Sequence, residues 1–380
     1  MIIVNLIKVG AIWLCDLVNR CWDPFRQAVF PLIPTNLPEL EGRLFDHLEL
    51  NHVVNGKFAY QVPMPEDVGD YALFQGLYLG MLALKNTDLA DAVVQLDKLF
   101  INDILVRGIR ADGTPNDTAS NDSATGVIFG LWASNNTALA ARWARRICDS
   151  GYALTDLKGV PTQYGQLEQG WKTDPLRITL LLAILAMARM KDSYFDGPYY
   201  ELFHKYRSIL AYPKVKLLWL DTDYDTHRAA IHLHILHRMT GTEEYAEGLR
   251  RIHRIMRKSN NAWVEALCAP ALDRKDVNLS MLGTFTYEDR IKGAVQSINS
   301  GTVDSVNWPP KFPSWLGFLG ETKERARQTL PMSRRGSQEF FWQRNMFSLD
   351  EWVGLTEPYV WHSGLDFLVC YWLAKRQGLL

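Results

Sequence analysis

Two short segments carry more acidic residues than the start of a helix requires. PEDVGD at 65–70 and DTDYD at 221–225 supply three acids each, namely Glu66, Asp67, Asp70, Asp221, Asp223 and Asp225. One side chain is enough to accept from the unpaired amides of a first helical turn, so both segments have surplus carboxylates. Cleavage of a glycosidic bond by water needs two facing carboxyl groups, one protonated and one acting as base or nucleophile. We therefore predict that acids from these two segments form a catalytic pair, with Tyr224 and His227 beside it.

A metal site explains the same residues less well. A calcium loop that started at Asp221 would need glycine at its sixth position and an acid at its twelfth, but Thr226 and His232 stand there. The histidines between 227 and 237 do not form an HExxH zinc motif. We therefore predict that the protein needs neither a metal nor another cofactor.

A lyase is the main alternative to a hydrolase. In that chemistry a base removes the proton next to a uronate carboxylate whose charge Asn, His or Arg neutralises. Residues of these types are Tyr71, Asn121, Tyr224, His227, Arg334, Arg335, Arg344, Tyr359 and His362. Clustered aspartates would repel an acidic polymer, which favours the hydrolase. A non-catalytic carbohydrate-binding or virion structural protein is the second alternative.

Aromatic residues give the chain possible sugar platforms, because a flat ring can stack on the apolar face of a sugar. The alternative use of each tryptophan is packing in the core. The predicted substrate-binding residues combine aromatic side chains with polar neighbours of the acidic segments. They are Tyr71, Asn121, Asp122, Trp171, Trp263, Trp308, Arg344, Tyr359 and His362.

The acidic segments belong to a repeat of about fifty residues, in which a polar residue precedes an apolar, helix-like run. The polar residues lie at Asp70, Asp122, Asp174, Asp225, Asn278 and, after a longer interval, His362. The first four runs are followed by a short turn and a second, more charged helical segment, so the unit is an αα-hairpin. Stacked hairpins bury a shared core, and six of them can close into a ring. The inner helices would then start at one mouth of the ring, which collects the polar residues.

Six such hairpins resemble the (α/α)6 toroid of glucoamylase-like glycoside hydrolases and of several polysaccharide lyases. KDVNLSMLGTFTYEDRIKGAVQSI at 275–298 is similar to a bacterial glucoamylase-like pattern of inner helix, Gly-Phe turn and acidic loop. The resemblance implies an all-α, carbohydrate-active toroid. The catalytic glutamate motifs of that family are absent here, so no residue role carries over. We expect one domain over 1–380, with a Pro-, Gly- and Trp-rich excursion at 300–347 that either lies over one mouth or is a packing loop.

The resemblance implies a carbohydrate polymer or oligosaccharide as the partner, and composition favours neither nucleic acid nor a membrane. With 41 basic and 42 acidic residues the net charge is −1, which does not favour nucleic acid. No apolar run approaches the ~18 residues of a membrane span. The first segment, MIIVNLIKVGAIWLCDLVNRCW, is interrupted by Lys8 and lacks the features of a signal peptide, so an amphipathic helix is expected there. Localisation and oligomeric state stay open.

Overall fold

The structure is a computed structural model. It describes residues 36–62, 70–116, 120–162, 168–169, 172–212, 224–257, 261–292, 305–308, 323–326 and 361–380. The predicted N-terminal helix and most of the 300–347 excursion lie outside these residues.

The described residues are mostly helical, as the all-α prediction required. The helices, in chain order, are α1 Leu37–His52, α2 Tyr71–Lys85, α3 Ala90–Asp97, α4 Asn121–Ala133, α5 Thr137–Asp149, α6 Pro175–Arg189, α7 Asp196–Leu210, α8 Tyr224–Thr240, α9 Glu243–Met256, α10 Ala262–Cys268, α11 Tyr287–Lys292 and α12 Leu365–Arg376.

Short antiparallel ribbons, which the repeat pattern did not predict, lie between the helices. Their strands are β1 Val53–Val54, β2 Lys57–Phe58, β3 Gln61–Val62, β4 Phe100–Ile101, β5 Ile104–Leu105, β6 Gly108–Ile109, β7 Pro115–Asn116, β8 Glu168–Gln169, β9 Lys172–Thr173, β10 Ser305–Trp308, β11 Lys323–Ala326 and β12 Trp361–His362. Most pair with the next strand along the chain. β3 instead pairs with β12, with His362 opposite Gln61, so the segments that precede α2 and α12 are joined.

The even-numbered helices form the interior, because their side chains are apolar on nearly every face. Almost every residue of α2 and of α6 is buried. Each even-numbered helix packs against the next, from α2 through α4, α6, α8 and α10 to α12, and α12 packs against α2. The odd-numbered helices cover this set: α3 packs on α2, α7 on α6, α9 on α8 and α10, and α1 on α12.

Local sequence explains several helix starts. Asp174 accepts from the amide of Leu176 at 3.1 Å, and Pro175 occupies the first helical position, where its missing N–H had no helical partner. α4 is capped by Ser120, whose hydroxyl accepts from the Ser123 amide at 3.1 Å. Asp122 therefore lies inside the first turn and is not needed as the cap. The start of α4 thus holds a carboxylate that helix formation does not use.

The fifth predicted helix start was wrong. The interior helix after α9 is α10, and Asn261 caps it by accepting from the amides of Trp263 and Val264. Asn278 precedes only the short 3-10 segment Ser280–Thr284. The repeat interval misplaced this helix, because α10 ends after two turns and irregular structure fills the rest of the repeat.

Glycines bring α2 and α4 unusually close. A Cβ atom added at Gly126 would lie 2.1 Å from the carbonyl oxygen of Leu73, and one added at Gly76 would lie 2.3 Å from the carbonyl oxygen of Gly126. Only hydrogen fits at these crossings. The first turns of α2 and α4, which carry Asp70 and Asp122, are therefore held side by side.

Candidate active site

Three charged side chains meet across the start of α4 and α8. Arg228 donates through Nη1 to Oδ1 of Asp122 and through Nη2 to Oδ1 of Asp225. The Asp122 side chain keeps 23% of its surface exposed, whereas that of Asp225 keeps 6%. Asp122 is consequently the carboxylate of this group that a substrate can reach. Asp225 pairs with the same guanidinium from the buried side.

The surroundings of Asp122 make its carboxyl group easier to protonate than usual. Burial raises the pKa of Asp122; the positive charge of Arg228 opposes this, the negative charge of Asp225 adds to it, and Arg107 opposes it more weakly. The net direction is upward. A carboxyl group with a raised pKa in a partly open position is suited to donate a proton.

A second reachable carboxylate, that of Asp70, lies at the start of α2. Its side chain is 28% exposed and its Oδ1 lies 3.7 Å from Nη2 of Arg107. Asp70 occupies the cap position but its side chain makes no capping hydrogen bond. The carbonyl of Arg107 instead accepts from the Ala72 amide at 2.8 Å. The backbone carbonyl of Arg107 therefore accepts a hydrogen bond from the start of α2, and its guanidinium interacts electrostatically with the carboxylates of Asp70 and Asp122.

A buried histidine, His232, lies one helical turn after Arg228 on α8. His232 is fully buried on α8, with Nε2 at 2.9 Å from the Thr125 hydroxyl and Nδ1 at 3.2 Å from the Thr179 hydroxyl. Burial lowers the pKa of His232 to about 3, and the Arg228 charge adds to this. The ring is therefore neutral, and each of its nitrogens lies within hydrogen-bond distance of one threonine hydroxyl. It ties α8 to α4 and α6 directly under the charged cluster.

The structure brings together four of the residues predicted from the sequence. Asp70, Asn121, Asp122 and Asp225 lie at the starts of α2, α4 and α8. Asn121 is 7% exposed, and its Oδ1 has no hydrogen-bond partner within the described part of the chain. A buried acceptor of this kind is suited to a donor from outside the protein, such as water or a hydroxyl group.

Other predicted residues are placed in the interior. Tyr71 is buried, its hydroxyl donates to Oε1 of Gln75 at 3.0 Å, and burial raises its pKa. Trp263 is fully buried and packs edge-on against Phe129. His227 is buried, with Nε2 at 3.4 Å from Nδ2 of Asn261. The expected substrate contacts of Tyr71 and Trp263, and the catalytic position of His227, conflict with this burial, because protein atoms cover these side chains.

His362 lies apart from the carboxylates, in β12. Its carbonyl faces Nε2 of His47 at 3.2 Å, and burial lowers the pKa of its imidazole to about 4. Of Tyr224 and Trp308 the structure describes only the backbone, in α8 and β10. The remaining candidates lie outside the described residues: Glu66, Asp67, Trp171, Asp221, Asp223, Arg334, Arg335, Arg344 and Tyr359.

Sequence reasoning missed the two arginines that organise the site. Arg228 follows Asp225 by three positions on α8, a spacing that places both side chains on one helix face, so a local signal existed. Arg107 lies between β5 and β6, and nothing in its neighbourhood along the chain points to Asp70. Within the described ranges, no group of three or more His, Cys, Asp or Glu side chains could hold a metal ion. No helix in those ranges has the length and apolar character to cross a membrane.

Comparison with known proteins shows only distant structural similarity. No protein-family model and no curated protein matches the chain. Among solved structures, the chain is similar to a glycoside hydrolase family 76 mannosidase from Bacteroides thetaiotaomicron, with 10% sequence identity and a TM-score of 0.47, over 90% of this chain and 100% of that one. The function proposed below rests on the geometry of the site and not on this similarity.

Proposed function

We propose that the protein is a glycoside hydrolase built as a closed (α/α)6 toroid, in which Asp122 donates the proton and Asp70 is the second carboxylate. The sequential packing of the even-numbered helices, with α12 against α2, supports the closed ring. Helix starts at one mouth favour negative charge there, because each contributes partial positive charge. The substrate is a poly- or oligosaccharide that enters this mouth, and no metal takes part.

The observation that carries the proposal is the unequal environment of two neighbouring, reachable carboxyl groups. Burial raises the pKa of Asp122, while Asp70 lies more openly beside Arg107. Glycoside hydrolysis requires one carboxyl group that holds a proton, the role that burial favours for Asp122, and a second carboxyl group that acts as base or nucleophile. Asp225, initially a candidate for the catalytic pair, is 4% exposed, and we assign it the positioning of Arg228.

The test separates catalysis from folding. Asp122→Asn and Asp70→Asn should each lower turnover by about 10²-fold or more while the melting temperature changes little. Asp88→Asn is the matched control, because the exposed Asp88 accepts from the Ala90 amide at 3.0 Å, beyond the C-terminal end of α2 and so far from the mouth. Its turnover should be unchanged. Wild-type turnover that survives both mouth substitutions would contradict the proposal.

The substrate class is tested with a panel of polysaccharides, by measuring reducing ends and the absorbance of unsaturated uronates. A hydrolase releases reducing ends alone. An absorbing product would establish the lyase instead, and no product from any polymer would favour a non-catalytic protein. As a further check, activity should fall as pH rises through the pKa of Asp122. Arg228→Gln should move that fall to higher pH, since the Arg228 charge lowers this pKa.

A further inference from the structure

A second pocket lies at the opposite end of the interior helices. It has a volume of about 350 Å³ and is lined by Arg189 and Met190 at the end of α6, by α7 residues including Tyr200, and by Thr240 and Thr242 at the junction of α8 and α9. α8 has 17 residues, so its two ends lie about 25 Å apart at 1.5 Å per residue. The pocket is therefore separate from the Asp122 mouth.

Exposed apolar side chains lie at this pocket and in the 3-10 turn Ser193–Phe195 that leads into α7. Of the lining residues, Tyr200 is 46% exposed and Met190 69%, and Tyr194 in the turn is 48% exposed. Among the Phe, Tyr and Trp side chains that the structure describes, these two tyrosines are the exposed ones. Large apolar groups left open around a concave surface are typical of a binding site.

The tyrosine rings are held in fixed positions. The guanidinium of Arg145 lies 3.6 Å from the ring centre of Tyr194, and that of Arg189 lies 4.6 Å from the ring centre of Tyr200. Arg189 also donates from Nη2 to the Tyr200 hydroxyl at 3.1 Å. Rings that are already ordered lose little conformational freedom when a ligand binds.

The charges beside these rings are compensated within the protein. Arg189 Nε lies 2.5 Å from Asp196 Oδ1, and Arg145 Nη2 lies 3.0 Å from Asp192 Oδ2. Neither arginine is left to attract an anion. Thr242 is the cap residue of α9 but makes no side-chain capping hydrogen bond, so its hydroxyl can serve a ligand.

We propose that this pocket, lined by Arg189, Met190, Tyr200 and Thr242, forms together with Tyr194 in the turn before α7 a separate, non-catalytic binding site for a neutral saccharide chain. Flat apolar rings bordered by hydroxyl groups match a sugar, which has apolar C–H faces and polar edges. Paired charges select a neutral chain over an acidic one. The chemistry of the pocket carries this assignment, which does not depend on catalysis at the mouth.

The experiment is electrophoresis of the full chain in native gels cast with mannan, dextran or xyloglucan, or with polygalacturonate as the acidic comparison. At least one neutral polysaccharide should retard the wild-type protein. In the double variant Tyr194→Ala/Tyr200→Ala the apparent Kd should rise about tenfold, because both stacking platforms are lost. Circular dichroism and melting temperature verify that the variant is folded, as is expected for two exposed side chains.

Two controls locate the binding. Val94→Ala removes an apolar group that is 52% exposed on α3 and should leave retardation unchanged. Asp70→Asn/Asp122→Asn should lose turnover but retain retardation, so failure of the hydrolase proposal is distinguishable from failure of this one. The second site is overturned if no neutral polysaccharide retards the wild type, if polygalacturonate alone does, or if the tyrosine variant is retarded as strongly as the wild type.

Discussion

The crossing of α2 and α4 gives the sharpest stability test. Gly126→Ala places a methyl group 2.1 Å from the Leu73 carbonyl oxygen, whereas ordinary contacts begin near 3.4 Å. The two backbones would therefore have to separate by more than about 1 Å. Both belong to interior helices packed on several sides, so the strain cannot be relieved by rotating a side chain.

The expected cost follows from two opposing terms. Overpacking a rigid interior costs about 3 kcal/mol, at the upper end of its usual range. Alanine is favoured over glycine within a helix by about 1 kcal/mol. The net loss in the free energy of unfolding is about 2 kcal/mol.

Gly42→Ala is the matched control, because Gly42 lies within α1 and an added Cβ meets no atom within 4 Å. Only the helix-propensity term applies there, so this variant should be stabilised by about 0.5–1 kcal/mol. The same chemical change is thus expected to have opposite signs at the two positions.

The assay is urea denaturation followed by helical circular dichroism, with turnover measured at the same temperature. Because α2 and α4 carry Asp70 and Asp122, a displacement of about 1 Å should also lower turnover by up to about 10²-fold in Gly126→Ala. Gly42→Ala should keep full turnover. If Gly126→Ala is as stable as Gly42→Ala, the close approach of the two helices is incorrect.

Three further predictions concern stability and metal dependence. Burial holds the pKa of His52 and of His362 at about 4, below the ordinary 6.5, so the unfolded chain binds more protons than the folded one between these values. Stability should fall as pH drops from about 6.5 to about 4 in denaturation curves, and less steeply in His52→Gln; an equal slope would remove His52 as a cause. Arg290→Met should lower the free energy of unfolding by about 3–5 kcal/mol, because it leaves the buried Asp366 carboxylate, 2.7 Å from Arg290 Nη1, without its charge partner. The double variant Arg290→Met/Asp366→Leu should recover part of that loss in the same denaturation assay. Dialysis against a chelator should leave turnover unchanged; activity restored by calcium or zinc would contradict the metal-free mechanism.

Helices were predictable where the signal is local. An apolar run preceded by a capping residue, as at Asp174 and Pro175, makes a helix whatever surrounds it, because its first amides are satisfied by the adjacent side chain. The glycine at 241 likewise separates α8 from α9, since its positive φ of 67° ends the first helix. At Asn278 the prediction rested only on the spacing of the repeat, and the predicted helix start was wrong.

The amino-acid sequence by itself determined the mostly helical class, the polar starts of the interior helices and the concentration of acids near Asp70 and Asp225. Tertiary structure alone decided which acids meet. Arg228 joins Asp122 to Asp225 and Arg107 lies beside Asp70, so the side chains of Asp70 and Asp122 stay partly exposed whereas that of Asp225 is buried. Periodicity reports which face of a helix is buried, but exposure and charge pairing depend on groups far apart in the chain, and these are fixed only when the helices pack.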